Sequence, residues 1–339
     1  MIRNQWYAIL ESNEIKIGRP LGVTRLGEKL VVWRTLEGEV TCMHDLCPHR
    51  GVALSAGKIL VDRIQCPFHG FQYDASGRCQ VVPANGKGTP VPKAFRVHTY
   101  PAREANGFIW IWWGEARPDL PPLPFFETID DAFSYMTFRD HWSVHYSRAI
   151  ENQLDAVHLP FVHHNTIGRG GRTIVNGPLV RWESDPASPI ETMNIWVNNR
   201  ADEGQPALKA DEMPEPNRHP SLQFRFPNLW HNWISDSVRI MVAFAPIDEE
   251  NTLIYLRFYQ KAVRAPILRQ VFNVLAQPLN IIVLRQDKRV VLTQRPKRTD
   301  LRMGEKMIPG DGPIIAYRRR RQEMIDRAGE LPDVTADPG

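Results

Sequence analysis

The sequence predicts an α+β chain of two domains: an all-β domain over residues 1–120, then a domain over residues 121–339 in which an antiparallel sheet is flanked by helices. Three observations predict it. The chain has 339 residues, long for one small domain and ordinary for two. Its first ~115 residues carry strand and hairpin patterns, while the later half alternates a strand-rich block with two helical stretches. Between the halves lies Arg117-Pro118-Asp119-Leu120-Pro121-Pro122-Leu123-Pro124, where closely spaced prolines prevent regular structure and mark a boundary.

Residues 30–34 and 39–43 read as strands around the turn Leu36-Glu37-Gly38. Residues 71–73 and 78–81 flank Asp74-Ala75-Ser76-Gly77, whose end residues suit a hairpin turn. The aromatic run Phe108 to Trp113 closes the domain as a buried strand. In the second half, Glu151, Leu154, Asp155 and His158 fall at helical spacing on one face, and Pro160 then disturbs or ends the helix, letting His163 turn back toward His158. Residues 168–172 form a Gly- and Arg-rich loop. From Leu179 to about Tyr259 five stretches read as strands (191–197, 222–226, 230–234, 239–244 and 253–259), with a polar, Pro-rich excursion over 200–220. Residues 266–293 read as a helix interrupted at Pro278, and 312–331 as a final charged helix.

Hydrophobic residues make up 42% and charged residues 24%, the composition of an ordinary globular protein. The net charge of +4 is too small to argue for a nucleic-acid partner. No unbroken apolar run exceeds the length of Phe108 to Trp113, far short of a membrane span. The first residues carry no secretory apolar region, so cytoplasmic residence is the expectation. Of four cysteines, Cys42 and Cys79 are expected to be small buried hydrophobes and not a disulfide. The run Arg318-Arg319-Arg320-Arg321 is expected to be the solvated face or end of a helix, with docking of an acidic redox partner or a subunit contact as the alternatives.

The chemistry concentrates in two clusters, Cys47-Pro48-His49-Arg50-Gly51 and Cys66-Pro67-Phe68-His69-Gly70. Each supplies one thiolate and one imidazole. Structural zinc favours paired Cys in one loop and paired His in another. A mixed pair in each loop suits a two-iron cluster in which one iron takes both Cys and the other both His. A four-ligand zinc site in a binding module stays open on residue types alone. A second set lies in Glu151-Asn152-Gln153-Leu154-Asp155-Ala156-Val157-His158-Leu159-Pro160-Phe161-Val162-His163-His164. His158 and His163, with a distant carboxylate, would make a two-His, one-carboxylate facial triad for iron(II).

The two clusters resemble the Rieske [2Fe-2S] signature, in the form found in Rieske non-haem iron oxygenases, and the Glu-Asn-x2-Asp-x2-His-x4-His segment resembles that family's mononuclear-iron motif. The resemblance implies that Cys47, His49, Cys66 and His69 hold the cluster and that His158 and His163 hold Fe(II). It implies a third ligand from a late helix, for which Asp287 is the candidate, sharing a helical face with Val290, Val291 and Gln294. It implies that Asp155 is a bridging carboxylate between an iron ligand and His69 of a neighbouring subunit, and that Asn152 lies beside the iron as an amide. His164 is a rival to His163, at a spacing that departs from the family's.

The activity implied by the resemblance is that of an oxygenase component. Electrons would come from NAD(P)H through a separate reductase, and in some systems a ferredoxin, because the chain has neither a Gly-x-Gly-x-x-Gly fingerprint nor a plant-type Cys-x4-Cys-x2-Cys run. O2 would be the co-substrate, and an aromatic or polycyclic small molecule would be hydroxylated or oxidatively demethylated. The length is nearer the family's monooxygenases, including aromatic O-demethylases, than its ring-hydroxylating dioxygenase large subunits, which implies a homotrimer without small subunits. A cis-dihydroxylating dioxygenase and a Rieske electron-transfer protein without oxygenase activity are the competing readings. Trp196, Phe224, Trp230, Trp233 and Phe244 could wall a pocket, though strand aromatics usually pack inward.

Overall fold

A computed structural model describes residues 1–86, 88–184 and 190–329. They form two compact units: Arg3–Pro118 with Pro246–Asp248, and Asp119–Ala245 with Glu249 onward. Among the described residues the first unit is all-β. Strands β1 (Gln5–Glu11), β2 (Leu21–Arg25), β3 (Glu28–Arg34), β4 (Val40–His44), β5 (Lys58–Leu60), β6 (Arg63–Gln65), β7 (Gln72–Asp74), β8 (Cys79–Val81), β9 (Thr99–Tyr100), β10 (Ala102–Ala105) and β11 (Phe108–Trp113) make three small sheets. Their orders are β1-β11-β10, β2-β3-β4-β9 and β5-β6-β7-β8. Strand β11 is buried along its whole length because both of its neighbours pair with it and its two faces meet protein. Cys42 and Cys79 are buried free thiols, and burial pushes both up from the ordinary thiol value.

The second unit is built on strands β12 (Ser134–Trp142), β13 (Ile174–Ser184), β14 (Glu191–Arg200), β15 (Leu222–Arg225), β16 (Leu229–Ser235), β17 (Val238–Pro246) and β18 (Thr252–Gln260). They form one sheet in the order β12-β18-β17-β16-β15-β14-β13. Helices α1 (Tyr146–Leu154), α2 (Leu159–Val162), α3 (Pro266–Val291) and α4 (Gly312–Gly329) accompany it. The architecture is the α+β arrangement expected, with two strands added. β12 escapes the strand pattern because its less exposed, alternating positions include the polar Ser134 and Asp140, so the apolar alternation is broken. β13 begins at Ile174, five residues before Leu179, and carries Pro178 at a register shift between Asn176 and Leu179. It is an edge strand, where a residue lacking an N–H is tolerated.

Four local expectations need correction. Helix α1 stops at Leu154, and Asp155 is its extended C-cap. Pro160 does not end that helix; it lies in the first turn of α2, where a missing N–H costs nothing. Helix α3 runs through Pro278 without a break. Its inward residues near the site are Leu284, Asp287 and Val291, while Val290 points outward. A count of unbroken apolar residues also passes over α3, which is long and apolar enough by length and composition to cross a membrane. Scattered Asn, Gln and Arg hide it from such a count. The end of the charged helix beyond Gly329 lies outside the described residues.

The basic run is only in part a solvated face: Arg319 is exposed, and the other three arginines are engaged within the protein. Arg318 and Arg321 are buried, at 6% and 2% exposure. Arg318 bonds both oxygens of Glu151 at 2.8 and 2.7 Å and Glu305 at 2.6 Å. Arg321 donates to the Thr299 carbonyl, and Arg320 pairs with Glu191 and Glu323.

Candidate metal centres

The two Cys/His loops are built alike. In the first, the Cys47 amide donates to Val52 O and the Gly51 amide returns to Cys47 O at 2.9 Å. In the second, the Cys66 amide donates to Phe71 O and Gly70 returns to Cys66 O at 3.1 Å. Each turn closes on a glycine at positive φ, +70° for Gly51 and +73° for Gly70, a conformation that a Cβ disfavours. The result sorts the donors by depth. Cys47 and Cys66 are buried at 2% exposure, while His49 and His69 are exposed. The two imidazoles meet edge to face at 4.7 Å between centroids, with His49 stacked on Phe71 and His69 against Phe68.

The Tyr73 hydroxyl reaches Cys47 Sγ at 3.2 Å. Burial pushes the Cys66 thiol up, so a thiolate here needs a bound cation to stabilise it. A single tetrahedral ion with bonds near 2.0–2.3 Å would hold its donors within about 3.8 Å of each other. Among the described residues, the His, Cys, Asp and Glu group whose donors all lie within 4.8 Å is not this quartet. Sulfur inside and nitrogen outside suits a two-metal cluster in which one metal takes both thiolates and the other both imidazoles.

The group that does converge is His158, His163 and Asp287. Asp155 starts it. As the C-cap of α1, its Oδ1 accepts the Val157 amide at 2.6 Å. That turn redirects the chain into α2 and sets His158 at the helix entry. One turn later the His163 amide reaches Leu159 O at 3.1 Å. Gly168 then packs so closely that a Cβ would fall 2.0 Å from Leu159 O. Asp287 arrives from the inward face of α3.

The three donors are close. His158 Nε2 lies 3.3 Å from His163 Nε2 and 3.3 Å from Asp287 Oδ1, and His163 Nε2 lies 3.0 Å from the same oxygen. Adjacent ligands of a six-coordinate ion with ~2.1 Å bonds are about 3.0 Å apart. The set therefore fits one face of an octahedral ion and leaves the opposite face open.

His163 and Asp287 are hydrogen-bonded from behind, and His158 faces a carboxylate. His158 Nδ1 faces Asp155 Oδ2 at 3.6 Å. His163 Nδ1 is 2.9 Å from Gln286 Oε1, which also accepts from Thr166, while the Gln286 amide nitrogen donates to Asn165. A donor at Nδ1 leaves Nε2 free for a cation. Gln153 donates to Asp287 Oδ2 at 3.1 Å, and Asn152 reaches Oδ1 at 3.4 Å. Burial pushes the His158 imidazole down, but hydrogen bonds and charge from Asp155 and Asp287 outweigh it and hold it at about 9. Burial pushes Asp287 up, and the two imidazoles bring it down to about 2. His164 is exposed, bonded to Phe161 O, and outside the group.

The triad opens on a cavity of about 290 Å³ whose walls include Leu222, Trp230, Ile240, Leu256 and Val283, with amides from Asn199, Asn232 and Asn280. Of the five aromatic candidates Trp230 lines it. Phe224 and Phe244 are core, Trp196 borders another hollow, and Trp233 stacks on His219 beneath Arg239. Sequence reasoning misses Gln153 and Gln286. The one signal for them is adjacency, since each amide sits next to a candidate residue.

Two family models match the chain: the Rieske [2Fe-2S] domain over residues 5–101, and the vanillate O-demethylase oxygenase C-terminal domain over residues 142–327. The methylxanthine N1-demethylase NdmA of Pseudomonas putida is 27% identical over 340 residues, covering 95% of this chain and 89% of that one. Its solved structure superposes with a TM-score of 0.76 at 24% identity, over 97% of this chain and 92% of that one. The chloroplastic protein TIC 55 of Arabidopsis thaliana is 32% identical over 168 residues, which is 48% of this chain and 30% of that protein. The chain thus spans under a third of that relative's length. The reduced oxygenase–ferredoxin complex of carbazole 1,9a-dioxygenase has the same fold, with a TM-score of 0.75 at 19% identity over 94% of this chain and 88% of that one.

Proposed function

The chain belongs to the Rieske non-haem iron oxygenases, and on that premise we propose that it is the oxygenase component of a multicomponent system that hydroxylates or oxidatively demethylates an aromatic or polycyclic small molecule. The observation that carries this reading is the His158–His163–Asp287 set, spaced for one octahedral face and opening on an apolar cavity. The matching model's vanillate O-demethylase and the relative NdmA are both demethylases by name, which favours monooxygenation.

In this reading Cys47, Cys66, His49 and His69 hold the [2Fe-2S] cluster, and His158, His163 and Asp287 hold the iron. When bound, the cluster supplies single electrons and the iron supplies open positions for O2. The chain's own residues do the rest. Asp155 and Gln286 fix the two imidazoles, and Gln153 fixes the carboxylate. The apolar walls keep water from the reacting atoms, and Asn199, Asn232 and Asn280 orient the substrate's polar groups.

Electrons reach the chain from NAD(P)H through a separate reductase, with or without an intervening ferredoxin. The named carbazole complex supports a ferredoxin as partner. The exposed His69, with Phe68 beside it, suits a protein contact. Copies assemble as a cytoplasmic homotrimer in which Asp155 stands between His158 and the His69 of a neighbouring copy.

The test uses the full chain with a surrogate reductase, a panel of methoxylated, N-methylated and polycyclic aromatics, and ¹⁸O2. The expected result is substrate-dependent NADH use and one labelled oxygen in the product or in released formaldehyde. Two labelled oxygens in one product would establish the dioxygenase reading instead. Two irons per chain, with no third taken up from anaerobic Fe(II), would leave electron transfer alone.

A further inference from the structure

The first half of helix α3 is inside out. Its side chains turned toward the protein are polar: Asn273 and Gln277 are buried at 5% and 6% exposure. Asn273 Oδ1 and both polar atoms of the Gln277 side chain have no hydrogen-bond partner. Its outward side is aliphatic. Ile267, Leu268, Val271, Val274, Leu275 and Leu279 are exposed, Ile267 at 78% and Leu275 at 74%. An 18-residue window of this helix has a mean hydropathy of 1.4, and 17% of it is buried. Scattered surface leucines need no explanation, but a continuous face of this size marks a contact.

Charge identifies the contact. No Asp or Glu occurs from Asn251 through Gln286, while Lys261, Arg264, Arg269 and Arg285 lie in or just before the helix, Arg264 and Arg285 exposed. An apolar helix face whose own segment carries cations and no carboxylate up to Gln286 complements an anionic lipid surface, with the aliphatic side chains in the acyl region and the cations at the headgroups. The helix cannot span a bilayer, because its second half carries the buried Asp287 against His158 and His163. It can lie flat. The same helix then continues into the cavity wall through Asn280, Val283 and Leu284.

We propose that α3 seats this protein on an anionic lipid surface, so that an apolar substrate passes from the lipid into the cavity along the helix. The seating stands on the helix alone; the delivery rests on the oxygenase reading above.

The test is co-sedimentation of the full-length, iron-loaded protein with vesicles of phosphatidylcholine, with and without phosphatidylglycerol. Binding is expected to the mixed vesicles and to fall as salt is raised. The double variant L268E/L275E should lose at least tenfold in partitioning with its cluster absorption spectrum unchanged. R264Q and R269Q should each lose about fivefold, which covers the case in which the glutamate variant fails to fold. Wild-type protein that ignores both vesicles, or binds them equally and independently of salt, overturns the seating. So does an L268E/L275E variant that falls to a smaller oligomer without lipid, since the face would then be a subunit contact. Delivery is read separately. If the variants lose vesicle binding but oxidise a vesicle-borne substrate as fast as wild type, the delivery step is wrong. Absence of turnover on any soluble substrate would count against the oxygenase reading and leave the vesicle result standing.

Discussion

Replacing Arg318 by Met should destabilise the catalytic unit by about 3 kcal/mol. Arg318 holds both oxygens of Glu151 at 2.8 and 2.7 Å and one of Glu305 at 2.6 Å, and Glu151 is 3% exposed. Removing one member of a buried ion pair strands the other, at about 3–5 kcal/mol. Two features place this case at the low end. Arg148 Nη1 stays 3.5 Å from Glu151, and Glu151 borders a cavity of about 240 Å³ that water can enter. For a unit of this size that is a fall in Tm of roughly 6–12 °C. Glu151 lies in the last turn of α1, directly before Asn152 and Gln153, which hold Asp287. Affinity for Fe(II) at the triad should therefore fall while the cluster spectrum stays. Calorimetry and anaerobic metal titration measure both. The double variant Arg318→Met, Glu151→Leu should regain most of the loss, because the stranded charge is gone. A single variant melting within 2 °C of wild type, or a double variant no better than the single, would refute the reasoning.

The metal centre and the sheet yield three more predictions. Asp155→Ala should abolish turnover with the cluster's visible spectrum intact, since it removes the group behind His158 Nδ1; steady-state NADH use with a surrogate reductase measures it. Gln286→Leu should weaken metal binding at the triad by about 10–100-fold, read by Co(II) titration, because His163 loses its 2.9 Å partner; Gln286→Glu should restore most of it. The third concerns His231, which is fully buried against Phe126 with Nδ1 bonded to Gln223. Burial, with Arg239 and Arg225 nearby, pushes it down to about 3. Above pH ~6.5 the folded and unfolded chains both carry it neutral. Below that the unfolded chain binds a proton that the folded one cannot, so stability falls by about 1.4 kcal/mol per pH unit down to pH 3. His231→Gln should flatten the measured dependence by that slope between pH 6 and 4.

Features that are local in sequence were legible. The Cys/His loops are five-residue units closed by their own glycines, so their residue pattern marks them as metal-ligand loops, while the cluster they would hold came from the family resemblance. The segment from Asp155 to His163 was legible in composition but not in conformation. Helical spacing puts Asp155 and His158 on one continuous helix, with Pro160 as its end. The chain breaks five residues earlier, because the Asp155 carboxylate takes the Val157 amide and competes with the helix for it. Asp287 depended on knowing that a late helix must supply a ligand. The partners of Arg318 were out of reach of any local rule: Glu151 is 167 residues away, and four consecutive arginines read as a solvated face until a buried carboxylate is placed opposite one of them.

Helix α3 shows where binary patterning fails and what the failure means. The rule that the apolar side of a helix faces the core holds for its second half, where Leu284, Asp287 and Val291 turn inward and Arg285 and Arg289 turn out. The inward stripe continues without a change of phase through Gln277 and Asn273, so the helix has not rotated. What changes is the outer side, from cationic to aliphatic. A core-facing pattern carried into that first half would have buried Leu268 and Leu275 and exposed Gln277. The rigid demand that Asp287 meet His158 and His163 fixes the helix's rotation, and that rotation forces the aliphatic residues out. Such a face is retained in water only at a cost, so something apolar must meet it.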